Sequence, residues 1–121
     1  MSKASELAEF GSGISSGPNA VEGLAKAWFH YDGSGTTFAD SFNGASATDN
    51  GTGTYTMTFT SAMSNANYAV TVSDDDGGTT RAFTHAKTYA TGSFATRSRR
   101  GDTGADTDKT TVSTAVLGDL A

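Results

Sequence analysis

The feature that most restricts the folds open to this chain is a strict alternation of side chains over residues 54–60. Every second residue is large and apolar, and a threonine stands at each position between. This period of two is typical of a β-strand with one buried face, and threonine and aromatic residues suit a pleated surface. The pattern returns at 68–72, after an asparagine-rich turn at 64–67. We therefore predict an antiparallel hairpin over 47–73 whose strands share one apolar face, formed by Tyr55, Met57, Phe59, Tyr68, Val70 and Val72.

Similar alternation covers most of the chain after residue 23. In 24–31 large groups occupy both phases, so we predict a strand covered on both faces. In 81–90 aromatic and basic residues alternate with small ones. Shorter extended segments are predicted at 38–42, at 93–97 and at 111–117, where Val112 and Val116 alternate with Ser113 and Ala115. Short strands separated by turns indicate an antiparallel sandwich or barrel. We predict an all-β fold, an antiparallel β-sandwich or jelly-roll-like domain of seven to eight short strands.

Turn signals separate these segments. Asn43-Gly44 ends one extended piece, and Asp49-Asn50-Gly51 is a strong hairpin cue that leads into the central strand. The polar, glycine-containing segments 74–78 and 99–109 are predicted to be loops.

The first 23 residues are predicted to be an anchoring arm and linker, and the knob domain then spans 24–121. Residues 2–10 favour a short helix, although one far below the roughly 12–15 residues that an isolated helix needs. The segment 11–19 has the glycine and serine content of a flexible linker. The apolar residues of the arm are Leu7, Phe10 and Ile14. Such side chains need a covering surface, which either the chain's own domain or a partner can supply, and we favour the partner.

Size and charge narrow the classes of function. The 121 residues have room for one domain with a thin core, which favours self-association. Eight Lys and Arg against 13 Asp and Glu give a formal net charge of −5, which disfavours nucleic-acid binding. There is no cysteine for a disulfide or a zinc site. Because the sequence shows no long apolar run, we expect no membrane insertion. Because it shows no secretory signal, we expect synthesis in the cytoplasm.

The clustered carboxylates are weak candidates for metal binding. Asp74 and Asp76 suit a hard cation, but Gly78 and Thr79 stand where an EF-hand loop needs an oxygen ligand and a glycine. Solvated loop carboxylates are the favoured interpretation and calcium is the alternative. A second cluster with no better match comprises Asp102, Asp106 and Asp108.

For the two histidines and the arginines we also favour a structural or surface role over a catalytic or nucleic-acid-binding one. His30 and His85 lie in separate predicted strands; either could act as a general base beside a serine or aspartate, but surface or structural roles are favoured. We expect no catalytic residue, no metal and no cofactor. The basic patch of Arg97, Arg99 and Arg100 precedes three aspartates, which favours self-neutralisation or a contact between subunits over nucleic acid.

Several ordered motifs over about 24–118 resemble a β domain that recurs in tailed-bacteriophage virion proteins of the tail-fibre and tail type. The segments that carry the resemblance are 27–29, 31–36, 40–43, 48–53 with Tyr55, 59–63, 65–70 and 112–118. The chain departs from the family at Ala39 and Ala47, where other members tend to have a larger apolar residue, and the resemblance does not extend into the arm.

The resemblance implies a virion surface module that assembles as a homotrimer and has a structural or binding role. Because 121 residues are few for a complete tail fibre, we expect a small accessory protein of the cement, decoration or head-fibre type. Its arm would dock on other virion proteins such as the major capsid protein, and its localisation would be the virion.

The alternative is a receptor-binding or structural tip domain of a tail fibre that recognises host-surface carbohydrate. Exposed aromatic residues such as Tyr31 and Tyr89 would then form the binding surface, with the basic patch as a further candidate. An enzyme acting on polysaccharide would need a carboxylate pair in a cleft. The sequence offers only carboxylates in turns or at strand ends, namely Asp40, Asp49 and Asp74, so we expect no enzyme.

Overall fold

The computed structural model of the chain describes residues 23–33, 36–75 and 82–121. The predicted short helix, the linker and the apolar residues Leu7, Phe10 and Ile14 lie outside these ranges. Within them every regular element is a β-strand. The strands are β1 Ala27–Asp32, β2 Phe38–Phe42, β3 Gly44–Asp49, β4 Thr54–Phe59, β5 Ala69–Asp75, β6 Ala82–Ala90, β7 Ser93–Arg100 and β8 Thr111–Leu117.

The strands form two four-stranded antiparallel sheets. Sheet A has the order β2-β1-β8-β5 and sheet B the order β3-β4-β7-β6. Hairpins connect β1 to β2, β3 to β4 and β6 to β7, and the other connections pass from one sheet to the other. The predicted all-β antiparallel sandwich is confirmed, with eight strands in the described residues.

Aromatic residues hold the two sheets together. Phe29 of sheet A lies with its ring centroid 5.7 Å from that of Phe94 and 6.0 Å from that of Phe59, both in sheet B. Tilted and edge-on ring pairs at such distances add about 0.5–1.5 kcal/mol each to the free energy gained by burial. The core cluster also contains Ala27, Tyr31, Tyr55, Met57, Met63, Tyr68, Val112 and Val116.

The hairpin predicted over 47–73 is wrong, although its apolar face is real. β4 pairs with β3 and β7, whereas β5 pairs with β8 in the opposite sheet. The connection between β4 and β5 is therefore an arch that crosses the sandwich. Alternation reveals which side of a strand is buried and not which strand lies beside it, so a hairpin and an arch have the same pattern. The predicted apolar face lies in the core between the sheets. Tyr55, Met57, Phe59 and Tyr68 belong to the core cluster, and Val70 and Val72 pack against it.

A sharp corner at Asn43-Gly44 carries the chain from sheet A to sheet B. Asn43 has a φ of 57°, a left-handed conformation that asparagine tolerates. Its side-chain amide donates to the carbonyl oxygens of Lys26 and Ser61 at 3.1 and 3.0 Å, and its Oδ1 accepts from the Ser61 amide at 2.7 Å. Gly44 follows because a Cβ there would come within 2.8 Å of the Phe29 ring. The same corner thus also ties down the residues that leave β4.

The hairpin predicted at Asp49-Asn50-Gly51 is confirmed. It joins β3 to β4, and the Asn50 amide donates to the Thr54 carbonyl at 2.9 Å. Asp49 Oδ1 accepts from the Gly51 amide at 2.8 Å, and Gly51 has a φ of 117° that favours glycine.

Three other boundaries and faces differ from the predictions. β1 is buried on one face only: Ala27, Phe29 and Tyr31 point into the core, whereas Trp28 on the outer face is 37% exposed. The predicted loops begin too early, because β5 includes Asp74 and Asp75 and β7 continues to Arg100. Polar strand ends lack the apolar alternation by which a strand is recognised in sequence, which explains these shortened boundaries. No helix in the described ranges has the length and hydropathy to cross a membrane.

Replacing Phe94 tests the core. Phe94 is fully buried between the sheets, so Phe94→Ala should lower the free energy of unfolding by about 3–5 kcal/mol, measured by urea denaturation. Phe42→Ala removes the same side chain from a site that is 54% exposed and should change the stability by less than about 1 kcal/mol. Equal losses in the two variants would contradict the assigned core.

Candidate functional site

The outer face of sheet B carries a cluster of basic side chains on its two adjacent strands β6 and β7. On β7 the residues Phe94, Thr96 and Ser98 are buried, so Arg97 and Arg99 point outward. On β6 the small residues face inward, since Thr84 Oγ1 lies 2.6 Å from Ser98 Oγ and Ala86 packs against the core. The inward face of 81–90, which the sequence left open, is therefore the small one. We call the outward residues of these two strands the basic face; they are Phe83, His85, Lys87, Arg97 and Arg99.

The strand register places the groups of the basic face side by side. Phe83 is the cross-strand partner of Arg99, and His85 is the partner of Arg97. The Phe83 and His85 rings have centroids 6.1 Å apart. Partners on adjacent strands have Cβ atoms about 4.5–5.5 Å apart, so these side chains form one continuous surface. Phe83 is 51% exposed, which leaves a ring face open to water.

Asp106 supplies the carboxylate nearest to the two arginines. Arg97 donates to it through Nε at 2.7 Å and through Nη2 at 3.0 Å. Hydrogen bonding to Asp106 raises the pKa of Arg97, and the same bond lowers the pKa of Asp106. Arg99 lies farther away, with Nε 3.5 Å from Asp106 Oδ1, and its Nε makes no hydrogen bond. The carboxylate therefore makes its two-point contact with Arg97, and Arg99 is the more weakly paired of the two arginines.

Arg100 belongs to a different surface from the other two arginines. Alternation along β7 places it on the opposite side of the strand, and it pairs with Asp102 through Nε at 3.0 Å and Nη2 at 2.9 Å. That hydrogen bond lowers the pKa of Asp102 to about 2. Both groups are exposed, so the pair contributes little to stability. The three predicted arginines thus divide into two sites, and self-neutralisation is present at Arg97 and Arg100.

Tyr31 was expected on the surface, and this expectation is wrong. Its side chain is fully buried, and its hydroxyl lies 2.6 Å from Thr96 Oγ1 in the opposite sheet. In a strand with large residues in both phases, the sequence offers no means of choosing the inward phase. Tyr89 is 38% exposed, and its ring packs 5.2 Å from that of Tyr68, so it remains available at the surface.

Sequence reasoning overlooked three exposed aromatic residues. Phe83 lies on the basic face, whereas Trp28 and Phe42 are cross-strand partners on the outer face of sheet A. Each stands opposite to the buried phase of its own strand. They could have been predicted from the alternation of their strands, once a turn or a core residue showed which set of alternating side chains is buried.

The outer face of sheet A is acidic. Its strands carry Asp32, Asp40 and Asp75 at outward positions, and no lysine or arginine stands at an outward position of these strands. His30 lies between Asp40 and Ser113 in the strand register, and its Nδ1 is 2.7 Å from Ser113 Oγ. A shallow depression of about 240 Å³ lies between β5 and β8 and is lined in part by Ser113. The two outer faces of the sandwich therefore differ in the sign of their charge.

The remaining carboxylates have structural roles. Asp74 Oδ1 lies 3.7 Å from Nζ of the buried Lys109, and Asp108 Oδ1 accepts from the Gly53 amide at 2.7 Å and from the Tyr55 hydroxyl at 3.2 Å. Asp76 lies outside the described residues. Within the described ranges no three histidine, aspartate or glutamate side chains come together in a group that could hold a metal ion.

Comparisons of the chain with protein-family models, with curated proteins and with solved structures found no match. The candidate site is therefore defined by its side chains alone.

The buried tyrosines predict a loss of stability at alkaline pH. Burial raises the pKa of Tyr31 from 10.0 to about 12, and burial also raises the pKa values of Tyr55 and Tyr68. Between about pH 10 and 12 the unfolded chain binds fewer protons than the folded one, so the free energy of unfolding falls as the pH rises. For Tyr31 the two pKa units correspond to on the order of 2–3 kcal/mol.

Tyr31→Phe should make this fall shallower, as measured by urea denaturation at a series of pH values from about 9 to 12. The variant also lacks the hydroxyl contact with Thr96, so the slope against pH, and not the stability at neutral pH, is the quantity to compare. An unchanged slope would contradict the assignment of Tyr31 to the core.

Proposed function

We propose that this chain is a structural protein of a bacteriophage virion, a small accessory protein of the cement, decoration or head-fibre type. Its N-terminal arm docks on the capsid, with the major capsid protein as the expected partner, and its sandwich is displayed as a trimeric knob. The observation that carries this proposal is the position of the motifs that resemble virion β domains. Among the described residues, the motifs fall on β1 to β5, on the connections between those strands and on β8, and none lies on β6 or β7.

The motif residues hold backbone geometry, which is what a scaffold requires. Asn43 fixes the corner between the sheets, and Asp49 closes the β3–β4 turn. In the arch, Asn65 Oδ1 accepts from the Asn67 amide at 2.8 Å. Tyr68 donates to the carbonyl oxygens of Ala90 and Ser93, which ties the arch to the β6–β7 hairpin. Two of the three carboxylates considered for an enzyme have structural contacts, which favours a role without catalysis: Asp49 closes the β3–β4 turn, and Asp74 lies 3.7 Å from Lys109.

The docking role of the arm can be tested in the full-length chain. Leu7→Asp combined with Phe10→Asp places charges where an apolar contact is expected, and binding to purified particles that lack this protein should fall at least tenfold in a cosedimentation assay. Ser12→Asp adds a charge within the linker and serves as the control. If the Leu7→Asp, Phe10→Asp variant is incorporated normally, docking through the arm is refuted.

The trimer is tested separately by size-exclusion chromatography with light scattering. We expect about three times the mass of one chain at micromolar concentration, because a small domain with exposed apolar side chains gains stability by association. A stable monomer under these conditions would contradict the proposed assembly.

A second candidate function is recognition of host-surface carbohydrate by the knob. The exposed ring of Phe83 beside His85 and two arginines favours it, since a sugar ring can lie on an aromatic face while polar side chains bind its hydroxyl groups. In either case the protein would be made in the host cytoplasm and act as part of the virion.

A further inference from the structure

We propose that the basic face of sheet B binds an acidic polysaccharide, a glycan that carries carboxylate or phosphate groups. The inference rests on the second candidate function, carbohydrate recognition, and specifies both its site and its ligand. The site consists of Phe83, His85 and Lys87 on β6 with Arg97 and Arg99 on β7.

The charge of this face is opposite to that of the chain as a whole. Lys87, Arg97 and Arg99 point outward from adjacent strands, and Asp106 is the carboxylate that pairs with the two arginines among the described residues. The face thus has an excess of positive charge in a chain whose formal net charge is −5. A local cluster of one sign attracts ligands of the other sign even when the protein's net charge does not.

Arg99 is the group best placed to bind the anion. Its Nε is buried 3.5 Å from Asp106 Oδ1 without a hydrogen bond, but 38% of the side chain is exposed, and an anion would approach that exposed part. The Asp106 carboxylate is already engaged in a two-point pair with Arg97. A planar guanidinium that is only weakly paired matches the two oxygens of a carboxylate or phosphate.

The rest of the face favours a glycan over a protein partner. Outward positions on β3 and β4, next to β7, are occupied by hydroxyl side chains, namely Ser46, Thr48, Thr54, Thr56 and Thr58. Sugar hydroxyls could replace the water on this surface without loss of hydrogen bonds, whereas a protein interface is usually centred on buried apolar or aromatic anchors. Phe83 supplies one aromatic face at the edge of the sheet, enough for a sugar ring.

The outer face of sheet A differs from the basic face in the sign of its charge, although both faces expose aromatic side chains. Sheet A also exposes aromatic side chains, Trp28 and Phe42, but its outward charges are Asp32, Asp40 and Asp75. An anionic ligand would be repelled there. The two faces thus provide an internal comparison, with similar aromatic exposure and opposite charge.

The experiment measures binding of the full-length protein to polygalacturonate, a carboxylate-bearing polysaccharide, by isothermal titration calorimetry at low salt. Dextran is the neutral counterpart, polyphosphate tests the phosphate source, and single-stranded DNA tests a nucleic-acid ligand. We expect binding to polygalacturonate or polyphosphate that weakens at least tenfold between about 50 and 300 mM salt, and no binding to dextran. Binding to DNA tighter than to both other polyanions, or equal binding to dextran, would overturn the proposal.

Matched variants locate the site. Arg99→Gln and Phe83→Ala should each weaken binding at least fivefold. Arg100→Gln makes the same charge change in the same strand but on its other side, and Phe42→Ala removes an equally exposed ring from sheet A; both should leave affinity within twofold. If the wild-type protein binds but Arg100→Gln weakens binding as much as Arg99→Gln does, the ligand lies elsewhere and this site is refuted while carbohydrate recognition stands. No binding to any of the anionic polymers refutes the site and leaves docking through the arm unaffected.

Discussion

The packing of Phe29 against Phe59 and Phe94 is the interaction on which the rest of the structure depends. One ring comes from sheet A and two come from sheet B, so this contact joins layers that share no hydrogen-bonded ladder. This packing also restricts the backbone, because a Cβ on residue 44 would collide with the Phe29 ring and the position therefore requires glycine. Because inward side chains hold the two sheets together, the outward side chains of the two sheets can differ in charge and chemical type.

The sequence predicted the strands because a period of two is a local property. Residues 54–59 and 111–117 were identified with their correct phases, and the turn at Asp49-Asn50-Gly51 was identified from its own chemistry. Pairing was not predictable in the same way. β4 and β5 follow one another with matching apolar faces, yet they lie in opposite sheets, and the arch between them depends on contacts that Asn43 makes with Ser61 from 18 residues away.

The candidate site was predicted only in part, for two physical reasons. In β1 both phases carry large residues, so Tyr31 and Trp28 could not be sorted into buried and exposed, and the aromatic residue chosen for the surface proved to be core. The arginines were identified as a patch because they are close in sequence, but adjacent residues of a strand point to opposite faces. Arg99 and Arg100 therefore serve different surfaces, and Asp106 and Asp102 divide between them accordingly.

Scaffold and binding surface occupy alternate residues of the same strands. On β7 the inward Phe94, Thr96 and Ser98 are buried, while the outward Arg97 and Arg99 pair with Asp106. The residues that carry the resemblance to virion proteins are mostly inward or at corners, where they specify backbone geometry and packing. Such residues identify the scaffold and are silent about its ligand. The proposed ligand is therefore assigned to outward positions, where the two faces of one sandwich have opposite charge.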